Sequence, residues 1–407
     1  MSKLLKKLFY TYYKDIDAGK LLPRDFKRRE IGVMLWDKRG MVRHKGFLEK
    51  SELSNFIITN APRHFYHSAS LYKSPWIDNM AHKGYYGCDL VFDIDCDHID
   101  TPCKEKHDLW KCKQCGLEGN GLHPKVCPEC NHAVFESKGW LCDTCLEKSK
   151  SETKKLVEDF LNYDFGIPLD QLHIIFSGHR GYHVHVLNDA FRQLSSESRR
   201  ELCDFITGTG ISLPQIGLNV GSKMINGFTL DDTGWRERIV KYLLHAVQDI
   251  KKGKNSLGFE KILVTCISHN AEVLMERIVN KKRNWTLEKV AMGNWTKIIH
   301  QLISEARCEI DVPVTIDTHR LIRAPHSLHG RTGFKVVPLA WDELDDFDPF
   351  SDPIVFKGKE VMFSTTQRVK EIRIGEEIYG PFEENTQVKI PLETAVFLAC
   401  KGVGVLS

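Results

Sequence analysis

The sequence contains no apolar run long enough to cross a membrane. Its first residues, "MSKLLKKLFYTYYKD", lack an apolar leader core and a small-residue cleavage site, and read as a short amphipathic helix. Low-complexity tracts and internal repeats are also missing. These absences argue against a membrane span and against export, so a cytoplasmic protein with no membrane partner is expected. What remains is ordinary for a globular chain: 42% hydrophobic and 27% charged residues, over a length of 407 that suits two or three domains.

A strong overall charge is missing too, since the formal balance is only +3. That figure hides an asymmetry. Residues 1–50 carry 14 Lys/Arg against 6 Asp/Glu, and residues 341–407 carry 7 against 13. The basic N-terminal region suits a polyanionic partner and the acidic tail does not. Cysteine, by contrast, is abundant. Seven of the 13 fall between Cys103 and Cys145, mostly in CxxC pairs, which favours zinc over disulfides in a chain without a secretion signal.

Along the chain, "REIGVMLWD" (29–37) and "GMVRHKGF" (40–47) read as strands joined in a hairpin, and Cys88–Asp95 as a strong strand. A helix is expected over roughly 146–163. "LHIIFSG" and "GYHVHVLN" read as two strands around a tight turn. Residues 191–305 carry several segments with apolar residues at helical spacing and should form a mostly helical subdomain. An acidic, Pro-containing linker (342–359) then leads to a small β-rich domain (360–407).

Three stretches carry chemistry. In "FDIDCDH", Asp93 and Asp95 share one face of the strand with carboxylates about 6–7 Å apart, two strand rises. Such a pair repels itself unless cations bridge it, and hard oxygen ligands suit Mg²⁺ or Mn²⁺. Solvated acids at a strand end are the plainer reading of a lone DxD. Asp97 falls past the strand, where it and His98 should be solvated or structural. In "SGHRGYHVHV", the Ser177 hydroxyl, the backbone at Gly178, Arg180 and His183 could cradle a triphosphate, whereas His185 reads as incidental. In "RLIRAPHSLHG", Arg323, Ser327 and His329 add anion-binding groups, and Asp311 upstream offers a third carboxylate.

The order DxD, then SGxRGxH, then an upstream Asp with RxPxSxH resembles the catalytic small subunit of archaeal and eukaryotic DNA primases, most of all the archaeal ones. "YYKD", "RREIGV", "PRHFY", "GCDLVFDID" and "LIRAPHSLHGRTG" share in that resemblance. It implies an α+β primase fold with a mixed β-sheet catalytic core over 1–190 and 306–345, interrupted by a zinc-binding insert (96–147). It also implies template-dependent nucleotidyl transfer that makes short primers on single-stranded DNA from NTPs or dNTPs. Asp93, Asp95 and Asp311 would be the catalytic acids. Asp311 lies fourteen residues before the Pro of the late motif, a spacing that fits the family better than that of Asp317. Ser177, Arg180, His183, Arg323 and His329 would hold phosphates, with Arg29 near the site. His179 stands where eukaryotic relatives have Arg, which leaves its role open.

The family's zinc knuckle ends in a CxxC that opens a helix. Here "WLCDTCLEKSK" supplies Cys142 and Cys145, with Cys103 and His107 as partners. Between them Cys112, Cys115, Cys127 and Cys130 have zinc-ribbon spacing and predict a second, structural zinc. Exchange of CxxC units between the two sites stays open. A primase large subunit is the implied partner in a heterodimer. The tail "YGPFEENTQVKIPLETAVFLACKGVGVL" resembles the small C-terminal β-domain of archaeal GINS proteins, which implies contacts to other replisome components. The competing readings are a primase-fold repair or end-joining polymerase and a non-catalytic, zinc-containing nucleic-acid-binding protein. The second leaves the three aspartates unexplained.

Overall fold

The computed structural model describes residues 2–218, 225–288 and 290–406. The chain divides into two compact units. One comprises Met1–Val157, Ile167–Arg200 and Ile310–Ser407, and the other Glu158–Gly166 and Glu201–Glu309.

The first unit is built on two four-stranded sheets. In one, the spatial order is Leu321–Arg323, His64–Ser68, Ile31–Met34, Met41–Lys45; the last two are neighbours in sequence. In the other it is Val337–Leu339, Leu172–Phe176, Gly181–Val186, Leu90–Asp95. Every strand pairing is antiparallel among the described residues, so these sheets are antiparallel where a mixed sheet was expected. Leu90, Val91, Phe92 and Ile94 are buried, and Asp93 and Asp95 are half-buried at the strand's polar end. Gly181 faces that end. A Cβ there would collide with the carbonyl of Ile94, so only glycine lets the strands approach this closely.

The cysteine insert forms its own small sheet of Leu109–Cys112 between Glu118–Asn120 and Phe135–Lys138. A helix follows at Asp143–Lys155 and continues as wider π-helical turns through Leu156–Asp164.

The acidic stretch after residue 341 is not a free linker. Leu344, Phe347 and Phe350 are buried, and the Phe347 ring lies 5.2 Å from that of Phe176. The apolar residues spaced between its acids explain why it packs instead of extending into solvent. Arg373 closes it further, with one guanidinium bonded to both Asp143 and Asp348. The tail also holds a helix that its β-rich character did not suggest, Leu392–Lys401, preceded by the strand Gln387–Pro391 and ended by Gly402 in the left-handed region. Residues 394–400 of this helix are all buried, and Phe397 meets Phe334 at 5.4 Å. The tail therefore belongs to the first unit's core.

The second unit is helical, with Trp235–Lys251, Lys261–His269, Ala271–Val279 and Met292–Ala306. Its centre holds Leu243, Val247, Leu274 and Ile278, with Trp285 stacked on Trp295 at 5.5 Å.

Candidate active site

A cleft of about 590 Å³ opens in the first unit at the polar ends of both sheets. Asp93 and Asp95 enter it from one strand. The neighbouring strand sets His183 directly opposite Asp93 and Gly181 opposite Asp95. His183 Nε2 lies 3.6 Å from Asp93 Oδ1. Burial, and then the nearby Arg323 guanidinium, bring the His183 imidazole down to about 3, so the pair is neutral imidazole against carboxyl. Asp93 itself is pushed up to about 7, first by burial and then by the charges of Asp95 and Asp311. Asp95 is also raised, chiefly by burial.

Asp311 joins the pair through the backbone. Its N–H donates to the carbonyl of Asp93 at 2.8 Å where the short helix Val312–Ile316 begins. Asp317, and not Asp311, is among the residues that line the cleft, and its carboxylate accepts the His319 N–H at 2.8 Å. Asp311 acts on Asp93 through its charge and lies 3.8 Å from His98 Nε2. The donor set fits divalent cations: clustered carboxylates that hinder one another's ionisation are relieved by a positive charge among them.

Opposite the acids the walls are basic. The tight turn after Phe176 puts Ser177 and His179 on the cleft, with Gly178 between them at φ +78°. A Cβ at Gly178 would stand 2.9 Å from that of His329, so glycine is required twice over. His329 stacks on His179 with centroids 4.7 Å apart. Arg323 extends from its strand over the ring of Tyr66 and bonds His64 Nδ1 at 2.6 Å.

Of the expected site residues, Arg29 and Ser327 stand elsewhere, Arg180 sits at the rim with its charge acting on Asp95, and Asp311 and Gly178 are not among the lining residues. Arg29 is buried and spends its donors on the carbonyls of Arg24, Ser68 and Ala69 and on Asp89, leaving little to offer a phosphate. Ser327 is fully buried and its hydroxyl donates to the Ala324 carbonyl at 2.6 Å, which holds the turn instead of facing a ligand. Arg180 does not line the cleft; it pairs with Asp97 at the rim. Conversely, Arg43, Arg63, His64, Arg320 and Arg331 do line it and were not singled out. Arg63 and His64 lie within "PRHFY", but no spacing rule in that segment points to a cleft.

Both cysteine clusters assemble. In each, the four candidate ligand atoms lie within 4.8 Å of one another: Cys103, His107, Cys142 and Cys145 in one, Cys112, Cys115, Cys127 and Cys130 in the other. Cys112 Sγ is 3.5 Å from that of Cys130, and Cys115 Sγ is 3.5 Å from that of Cys127. Cys142 Sγ is 3.3 Å from His107 Nε2. These separations suit a tetrahedral thiophilic ion with bonds of about 2.0–2.3 Å. Asp108 accepts from His107 Nδ1 at 2.7 Å, which aims Nε2 at the thiols. The pairing has each CxxC of the inner set facing the other.

Acids grouped at a sheet edge in a cleft with cationic walls are the site of a nucleotidyltransferase of α+β fold. A profile of the DNA primase small subunit matches residues 137–341. DNA primase small subunits of Methanothrix thermoacetophila and Methanospirillum hungatei are 31% and 30% identical to this chain, over 98% of it and 98% and 95% of their own lengths. That of Thermoplasma volcanium is 30% identical over 98% of this chain and 96% of its own. The chain belongs to the DNA primase small subunit family, and its role is that of the catalytic subunit. No helix among the described residues is long and apolar enough to cross a membrane.

Proposed function

We propose that this cleft joins nucleoside triphosphates, ribo- or deoxyribo-, into short primers on a single-stranded DNA template, in the cytoplasm and together with a primase large subunit. The observation that carries this reading is that Asp93 and Asp95 line one cleft with Ser177, His179, His183, Arg323 and His329, while Asp311 is tied to Asp93 by a backbone hydrogen bond and by its charge. The three carboxylates would hold two divalent cations, Mg²⁺ or Mn²⁺. When bound, these would supply Lewis-acid activation of the attacking 3′-hydroxyl and neutralise charge on the pyrophosphate that leaves.

The protein's own groups do the rest. Arg323, Arg320 and Arg331 offset triphosphate charge. Ser177, the backbone at Gly178 and the neutral His183 and His329 offer directed donors that fix the α-phosphate in line with the hydroxyl. No side-chain nucleophile takes part. The two cysteine clusters would each hold a structural zinc, because four protein ligands leave no open position for water. The tail, through its GINS-like resemblance, would contact other replisome components from its exposed face.

The test is priming on a single-stranded template from free nucleotides, with and without the large subunit. Asp93→Ala with Asp95→Ala should abolish incorporation while fold and metal content of the cysteine clusters persist. Full activity in that variant would overturn the assignment of the acids.

A further inference from the structure

The C-terminal helix ends on Lys401, whose Nζ lies 3.2 Å from Nε2 of His179, more than two hundred residues away in sequence. The helix is rigidly seated, with residues 394–400 buried and Gly402 stopping it at φ +76°. It thus delivers one amine to the back of a ring that lines the cleft. The same amine lies 5.7 Å from the centroids of the Trp140 and Phe397 rings, which favours a cation there.

Three cleft histidines follow one rule. His329 Nδ1 accepts the Arg331 N–H at 3.2 Å, so its proton sits on Nε2. His64 Nδ1 accepts from Arg323 at 2.6 Å and from the Gly330 N–H at 3.3 Å, so its proton also sits on Nε2. Burial and surrounding cations hold both well below the ordinary imidazole range, and His179 with them. Each ring is neutral and carries a single N–H. In a neutral imidazole, the nitrogen that accepts decides which nitrogen donates. For His179 the partner is Lys401, which in its ammonium form has no lone pair and can only donate.

We propose that Lys401 is a positioning residue for the incoming nucleotide: by donating to Nε2 it holds His179 in the Nδ1–H tautomer, so that this N–H is the one the ring offers a triphosphate oxygen. The inference rests on the reading of the cleft as the nucleotide site. Burial and the guanidiniums of Arg180 and Arg331 bring the Lys401 amine down to about 7. A triphosphate in the cleft favours the ammonium, so nucleotide binding strengthens the hydrogen bond that orients the ring. The C-terminal segment is then part of the nucleotide site as well as of the core.

Lys401→Met keeps the length of the side chain and removes its donor from a half-buried position, so the fold should stand. In primer extension at saturating template, KM for the nucleoside triphosphate should rise about tenfold with kcat within twofold, the loss of one hydrogen bond reaching a charged ligand. Lys401→Arg should restore KM to within about threefold. In a His179→Ala background Lys401→Met should add nothing further, because the effect runs through that ring. An unchanged KM, a fall in kcat alone, or an additive loss in the His179→Ala background would overturn the inference. Two-bond ¹H–¹⁵N correlations of the histidine rings give a second readout, and an Nε2–H tautomer for His179 in the unaltered protein would sink it. Asp93→Asn, assayed in parallel, separates the two readings. If it stays active, the cleft assignment fails; if it is inactive while Lys401→Met behaves as the parent, only the Lys401 inference fails.

Discussion

Asp311 donates its backbone N–H to the carbonyl oxygen of Asp93 across 2.8 Å, tying the first turn of a short helix to the strand that carries Asp93 and Asp95. One hydrogen bond thereby ties a residue more than two hundred positions away in sequence to the strand that carries two carboxylates at alternate positions. Asp317 by contrast stands on the cleft wall and accepts the His319 N–H.

Asp311→Asn should lower nucleotide incorporation by about a thousandfold or more, the loss of a charged ligand in a two-cation site, whereas Asp317→Asn should stay within about tenfold. Single-nucleotide extension of a pre-annealed primer measures both. Equal losses would move Asp317 into the ligand set.

Cation affinity should depend on pH in a definite direction. Without a cation, burial and the charges of Asp95 and Asp311 push Asp93 up to about 7. Below that pH a proton occupies Asp93 and competes with the cation; above it the carboxylate is free. Mn²⁺ should therefore bind about tenfold more weakly at pH 6 than at pH 8, with proton release on binding. Calorimetric titration in buffers of different ionisation enthalpy reads both quantities, and a pH-independent affinity would contradict the coupling.

Elemental analysis should find two zinc ions per chain. Cys112→Ser with Cys130→Ser should reduce this to one and melt the small sheet around Leu109–Cys112 without touching the other cluster. Asp108→Ala, which frees His107 Nδ1, should weaken zinc retention at the remaining site by about 10- to 100-fold against a chelator. One zinc in the unaltered protein would remove the inner site.

Arg29 should matter for stability and not for nucleotide binding. It and Arg192 share Asp89, with Arg29 Nη2 at 2.5 Å from Oδ2 and Arg192 Nε at 2.8 Å from Oδ1. Breaking a buried pair by removing one partner costs about 3–5 kcal/mol. Arg29→Met should lower the denaturation midpoint accordingly while KM for nucleotide in the folded protein is unchanged. Burial raises Asp89, but the two arginines more than offset it and hold the carboxyl below its ordinary range. A depressed carboxyl contributes its full stability above the ordinary carboxylate range and loses it as pH falls through the depressed value. The variant should consequently show a shallower loss of stability in acid than the parent. A raised KM with no change in stability would return Arg29 to the cleft.

Much of this protein was legible in one dimension because its chemistry is local. Two acids on alternate strand positions share a face by the period of the strand, and CxxC spacing brings two thiols to one point within a single turn. Helical periodicity in the segments between 235 and 306 likewise needs no knowledge of the rest of the chain. The residues misplaced by sequence reasoning are those whose surroundings come from afar. Arg29 and Ser327 lie in motif-bearing segments, yet a guanidinium or hydroxyl binds whatever acceptor the fold brings first: for Arg29 that is the backbone at 68–69 and Asp89, and for Ser327 a turn carbonyl. The stretch after residue 341 looked like a linker because its acids are conspicuous, while Leu344, Phe347 and Phe350 between them found a core.

By itself, then, the sequence determined the family, the strand that bears the acids, and the CxxC units of the cysteine insert, since each depends on spacing along the chain; which units meet was decided by the fold. Tertiary structure alone decided that the backbone of Asp311 bonds that of Asp93, that Arg43, Arg63 and Arg331 complete the cationic walls, and that Lys401 stands beside His179. Those relations join residues that no short-range period connects. They exist only because burying the apolar faces of the sheets and of the C-terminal helix leaves their polar ends meeting at one cleft.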